Sequence, residues 1–159
     1  LKDLQIDNGQ HWQAKHLTAL KMNYSRAPMF QSIFPRLERY YQRPRERLAD
    51  LCWEMMLEFN GMLDIGTRIV KASALGAVDG GKSTLVLNLC RATGATTYLS
   101  GSLGRQYLAL DDFSAAGIDV VFQDFAHPTY SQQYPGFEPF MGIADLLFCE
   151  PEPGRFIGN

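Results

Sequence analysis

The stretch from Thr96 to Tyr134 constrains the fold more than any other part of the chain: TTYLSGSLGRQYLALDDFSAAGIDVVFQDFAHPTYSQQY. TTYLS (96–100) is short and rich in β-formers, and reads as a strand. Gly101 and Gly104 follow at once and allow a tight turn. Asp111 or Asp112 is suited to cap a helical segment through Ala116, and Gly117 to end it. DVVFQDF (119–125) is the second strand, and its continuously apolar centre, Val120–Phe122, suits a strand covered on both faces. A β-loop-α-β unit of this kind is nearly always a parallel pair with a right-handed crossover. Both loops after the strands then fall at one edge of the sheet, where ligands bind in such folds. That edge carries Ser100, Gly101, Gly104, Arg105, His127 and Tyr130.

The rest of the chain supplies what covers this unit. From His11 to about Tyr24, Trp12, Leu17 and Leu20 recur at helical spacing, with His16 read as a packed histidine on the Trp12 face. Phe30, Ile33, Phe34, Leu37, Tyr40 and Tyr41 make a second amphipathic helix, in which Pro35 predicts a kink or a split. Pro44 sits where a first-turn proline would, ahead of the longest helix, Leu48 to about Asn60-Gly61. RIVKAS (68–73) reads as a strand, Lys82–Gly94 as a helix with a glycine cap, and IADLLFC (143–149) as a short apolar segment. The expectation is one α/β domain over residues 1–159. It divides into a helical part (1–62), an α/β part (63–149) with a small, mostly parallel Rossmann-like sheet, and a loosely held tail (150–159).

Composition removes several classes. Apolar residues make up 46% of the chain and charged residues 20%, which is globular rather than disordered. The net charge is −2 and the basic run is RPRER (43–47), read as the solvated start of a helix, so a dedicated nucleic-acid binder is not expected. No apolar run approaches membrane-spanning length and no signal peptide is visible, which makes the expected compartment cytoplasmic. Cys52, Cys90 and Cys149 are far apart, with no C-x-x-C, so they read as buried free thiols rather than a metal site or a disulfide. The chain opens on Leu1 inside a polar turn and reads as a piece whose N-terminal part is missing.

Gly76 to Ser83 satisfies the pattern G-x-x-x-x-G-K-[ST], with Lys82 for phosphate oxygens and Ser83 for Mg²⁺. The segment before it carries Arg68, Lys71 and Ser73, whereas the strand leading into a P-loop is normally central and apolar. The better reading is a glycine turn in which Ser83 or Thr84 caps the next helix. His127 has Asp124 nearby in sequence as an orienting carboxylate, a pairing suited to proton transfer, with a plain turn histidine as the alternative. Gly101 to Arg105 could bind an anion at a helix start or be a simple turn. Asp145 begins an apolar helix and reads as its cap.

The segments Tyr98–Gly101, Gly104 with Tyr107 and Leu108, Phe113–Phe125, His127–Gln132, Phe137 with Pro139, and Asp145–Phe148 together resemble the WbqC-like family of bacterial proteins, over nearly the whole chain. Members of that family usually begin with a strand and a histidine–glutamine–proline-rich loop, which this sequence lacks. They usually carry serine where Gly142 stands. The resemblance implies surface-polysaccharide (O-antigen) biosynthesis, and acyl or aminoacyl transfer onto a nucleotide-linked amino sugar. In that reading His127 deprotonates the attacking amine and Asp124 orients it. Ser100, Gly101, Gly104, Arg105, Tyr107, Tyr130 and Asp145 contact substrate or its anion. The partners are a nucleotide-sugar or an acyl or aminoacyl donor, and no cofactor is named. The alternatives are a non-catalytic scaffold with an apolar patch on the Phe30–Tyr41 helix, and a P-loop NTPase dependent on Lys82.

Overall fold

Helical periodicity and glycine punctuation set most of the elements seen in the computed structural model, which describes residues 2–157. In chain order these are α1 (Trp12–Tyr24), α2 (Phe30–Tyr41), α3 (Leu48–Met62), α4 (Lys82–Thr93), β1 (Thr97–Ser100), α5 (Leu110–Ala115), β2 (Asp119–Phe122) and α6 (Ile143–Cys149). Gly94 and Gly117 end α4 and α5 with φ of 66° and 70°, the left-handed conformation that glycine adopts without penalty. The chain forms two compact units, one made of Leu1–Thr67 with His127–Asn159, the other of Arg68–Ala126.

In the first unit α1, α2 and α3 bury their apolar stripes together with α6. The core is Ala27, Ile33, Phe34, Leu37, Leu63, Leu147 and Phe148. Tyr24 stacks on Phe148 with ring centroids 4.6 Å apart, and Phe30 lies 5.9 Å from the same ring. Helix α2 runs unbroken through Pro35. Pro44 is not in the first turn of α3, whose cap is Arg47. Residues 42–47 are a loop strapped down by the N-terminal segment. Ile6 donates to the Glu46 carbonyl at 2.8 Å, Leu48 to that of Leu4 at 3.0 Å, and Asn8 Nδ2 to that of Arg45 at 2.9 Å. The tail is held through Phe156, whose ring is 5.9 Å from Tyr130, rather than loose from residue 150; residues 158 and 159 lie outside the described residues.

The second unit contains the predicted parallel pair, β1 with β2, in the register Thr97↔Asp119 to Ser100↔Phe122. Its core is Leu87, Cys90, Phe113 and Ile118. The sheet has two strands among the described residues. RIVKAS is not a strand: 68–71 have no regular structure and Ala72–Ala74 form a 3-10 turn. The segment is mostly exposed and pairs with no strand among the described residues. β2 ends at Phe122, and it is not covered on both faces. Val121 on β2 and Leu99 on β1 are 49% and 62% exposed, because the core of this unit packs on the opposite face. Asp111 and Asp112 lie inside the first turn of α5 rather than at its cap, where their charge suits the helix N-terminus. Cys90 and Cys149 are buried, as read from sequence, but Cys52 is exposed.

Candidate functional site

Helix α6 is apolar on nearly every side, and every residue from Asp145 to Glu150 is buried. Two of those residues are acids, and a buried carboxylate is tolerated only when hydrogen-bonded. Asp145 is not the cap of α6; Gly142 is, and the Asp145 side chain turns inward. Tyr24 donates its hydroxyl to Oδ1 at 2.9 Å. Tyr130 donates to Oδ2 at 2.9 Å and Gln132 Nε2 to the same oxygen at 3.0 Å. Glu150 accepts from the Ser131 backbone N–H at 3.2 Å and from Arg155 at 3.0 Å. Asp145 within α6 and Glu150 at its C-cap thus hold the segment 130–132 in place.

That segment opens a loop closed by its own side chain. Gln132 donates to the Glu138 carbonyl at 2.9 Å and accepts from the Glu138 N–H at 2.8 Å, as a strand partner would. Gln133 Nε2 ties the loop to the Asn23 carbonyl at 2.6 Å. The loop walls a cleft of about 530 Å³ lined by Tyr24, Gln132, Tyr134, Phe137, Met141 and Asp145, among others. The lining includes the carboxylates of Asp145 and Glu138 and no Lys, Arg or His. An ionised carboxylate has about four acceptor sites. Three of those on Asp145 are filled from within the unit, which leaves one on Oδ1.

Burial, and then the hydrogen bond to Asp145, push the Tyr130 phenol up to about 12. The same causes act in the same order on Tyr24 and push it further. Burial and the Asp145 charge also raise the Cys149 thiol. Both phenols hold their protons to higher pH in the folded chain than in the unfolded one. Their contribution to stability is therefore complete below about pH 10, the usual phenol value, and is lost as the pH rises through about 12. Burial also raises Tyr40, Tyr41 and Tyr98, so tyrosinate absorbance through an alkaline titration should show five late phenols, Tyr24 and Tyr130 the latest, all moving to the ordinary range when urea unfolds the chain.

His127 is half-buried, and its Nδ1 donates to the Pro128 carbonyl at 2.8 Å. A carbonyl only accepts, so Nδ1 carries the proton and the neutral ring keeps its lone pair on Nε2. The ring meets Phe140 edge-on at 5.1 Å and lies 5.8 Å from Phe137 and 6.2 Å from Tyr130. Phe137 lines the cleft, so His127 stands one side chain behind it.

The predicted site residues divide between the units. His127, Tyr130 and Asp145 belong to the first; Ser100, Gly101, Gly104, Arg105, Tyr107 and Asp124 belong to the second. Ser100 is 1% exposed and donates to the Gly101 carbonyl at 3.1 Å. A Cβ on Gly104 would fall 2.0 Å from Ser100 Oγ, so glycine there permits close packing. Ser102–Gln106 is a 3-10 turn, and the Arg105 guanidinium lies 4.2 Å above the Phe122 ring. Gly101, Tyr107 and Asp124 are exposed. Residues 76–81 do form a glycine turn, with φ of 82° at Gly76 and 115° at Gly80, but no strand leads into it. Neither Ser83 nor Thr84 caps α4; the cap is Gly81, and Ser83 Oγ accepts from the Ala109 N–H at 2.9 Å.

Sequence reasoning missed Tyr24 and Gln132. Tyr130 and Gln132 are two apart in an extended segment and so share a face, which is a signal for Gln132. Tyr24 is 121 positions from Asp145 and carried none.

A model of the WbqC-like protein family matches residues 1–155 of the chain. The uncharacterized protein Rv1507c of Mycobacterium tuberculosis (strain ATCC 25618 / H37Rv) is 33% identical over 150 residues, covering 93% of this chain. The chain spans 64% of the length of that relative. No solved structure matches the chain significantly.

Proposed function

The chain belongs to the WbqC-like protein family, and on that footing we propose that it transfers an acyl or aminoacyl group onto a nucleotide-linked amino sugar in surface-polysaccharide (O-antigen) biosynthesis. The observation that carries the reading is the cleft over Asp145. Its carboxylate is fixed by three donors and keeps one acceptor site. Tyr24, Tyr134 and Phe137 give flat apolar walls, and no cationic side chain competes for the carboxylates. A sugar ring bearing an amine fits that chemistry: its apolar face on the aromatic walls, its N–H groups on Asp145 and Glu138.

In the reaction the amine nitrogen bonds to the acyl carbon, the bond from that carbon to the donor breaks, and one amine proton leaves. His127, which stands behind Phe137 rather than in the lining, takes the proton through one bridging water, with Nδ1 held on the Pro128 carbonyl. The parallel pair β1–β2 belongs to a Rossmann-like sheet, and the site is cytoplasmic, where nucleotide-linked sugars are made. The scaffold alternative expects an apolar patch on α2. The α2 residues Ile33, Phe34 and Leu37 are instead core, so that alternative loses its basis.

The test is product formation from a nucleotide-linked amino sugar and an acyl or aminoacyl donor, followed by mass spectrometry in the full-length protein. His127→Ala should lower the rate by about 10²–10⁴-fold, the usual contribution of a general base. Undiminished transfer removes His127 from the mechanism. Equal use of an N-acetylated sugar defeats the amine-acceptor reading.

A further inference from the structure

The basic run 43–47 takes no part in the cleft, and it borders a second pocket, of about 290 Å³, lined by Arg39, Tyr40, Gln42, Arg43, Arg45 and Glu54. The loop that carries it is pinned from outside by residues 4–8, so its arginines are presented on an ordered backbone. Several charges here are already committed. Arg36 and Arg39 both bind Glu58, and Arg45 binds Glu54. Arg39 also sits in the last turn of α2, where a cation offsets the helix C-terminus.

What remains uncommitted is specific. Arg43 is exposed and makes no ion pair among the described residues, although it lines the pocket with two other arginines, Arg39 and Arg45. The Gln42 side-chain amide has no partner there either. Arg45 Nε–H is buried and unpartnered, an arrangement that costs stability until an acceptor arrives. Three guanidinium groups, those of Arg39, Arg43 and Arg45, line the pocket against the one carboxylate of Glu54, an excess of two positive charges. Planar guanidinium forks match the oxygens of phosphate better than any other side chain. The cleft over Asp145 is the opposite environment, with carboxylates and no cation, and would repel the same ligand.

We infer that the pocket formed by Arg43, Arg45 and Gln42 binds a phosphate-class anion carrying about two negative charges, matched to the excess charge of the pocket. The inference does not depend on the transferase reading; it stands on the uncommitted donors and the charge. A free phosphate compound or the diphosphate of a nucleotide would present the same oxygens.

The experiment is calorimetric titration of the whole chain at low salt with inorganic pyrophosphate and, separately, with ADP. Saturable one-to-one binding is expected. Arg43→Glu should weaken it by at least about tenfold, the scale of one lost charge-assisted contact. Arg91→Glu makes the same charge change at a residue that does not line the pocket and should leave affinity within about twofold, since no direct contact is lost. Circular dichroism melts of both variants check that the fold is kept, and Arg43→Ala replaces Arg43→Glu if it is not. Equal affinity for the two ligands supports free phosphate as the source. An ADP affinity tighter by about tenfold or more supports a nucleotide. Absence of saturable binding, or equal loss in Arg43→Glu and Arg91→Glu, overturns the proposal.

Discussion

Asp145→Ala should destabilise the unit formed by residues 1–67 and 127–159 by about 3–5 kcal/mol, the cost of removing one partner from a buried, charge-assisted network. The substitution strands three donors at once: the hydroxyls of Tyr24 and Tyr130 and the amide of Gln132. Asp145 is 5% and Tyr130 8% exposed, so the Tyr130 hydroxyl is stranded away from water, while Tyr24 and Gln132 line the cleft. Gln132 would also lose its fixed orientation, and with it the bridge to Glu138 that closes the cleft loop. Asp145→Asn keeps the shape and one good acceptor but turns a second acceptor into a donor facing donors, a loss of about 1–2 kcal/mol. Urea unfolding of the three proteins measures the series. An alanine variant within about 1 kcal/mol of the parent, the scale of a single neutral hydrogen bond, would mean that the network is not a unit. The Asn variant carries a further expectation: Tyr130 should titrate below its value of about 12, because the carboxylate that opposes its ionisation is gone.

Phe148→Ala should cost a similar amount, about 3–5 kcal/mol, for a different reason: a fully buried ring leaves a cavity that the neighbours fill only in part. Phe148 is 0% exposed and is stacked between Tyr24 and Phe30, while its carbonyl accepts from the Met29 N–H at 3.0 Å. The backbone bond survives the substitution; the ring stack does not. Tyr24 is shared between this stack and the Asp145 network, so the two substitutions should not be additive. The double variant should lose less than the sum of the single losses by about 0.5–3 kcal/mol, the usual range for residues with a common partner. Strict additivity would show that Tyr24 does not link the stack to the network. Phe148→Leu, which keeps most of the volume, should recover more than half of the lost stability in the same urea series.

What could be read from the sequence follows the range of the interactions involved. Helices α1, α2 and α3, the parallel pair β1–β2 and the glycine ends of α4 and α5 all lie within a few residues of their predicted places. Each is fixed by neighbours in sequence: a 3.6-residue stripe, a run of β-formers, or a position that needs positive φ. RIVKAS failed because a short run around Ile69 and Val70 does not make a strand without a partner edge. The cap assigned to Asp145 failed because the same residue type serves equally well as a cap or as a buried acceptor. Asp145 was legible as a polar residue in an apolar helix; its role depended on Tyr24 and Tyr130, which local pattern does not bring to it.

By itself, the sequence determined the family to which the chain belongs, the order of its helices and of β1 and β2, and the parallel sense of that pair. These rest on short-range periodicity and on motifs that need no contacts to be recognised. The tertiary structure alone decided that His127 and Asp145 belong to a different unit from Ser100, Gly104 and Arg105. It also decided that Asp145 is the centre of a three-donor network rather than a helix cap. Those outcomes depend on which side chains meet across long separations. Burial makes each unpaired donor or charge costly, so the packed chain selects the one arrangement that satisfies them together.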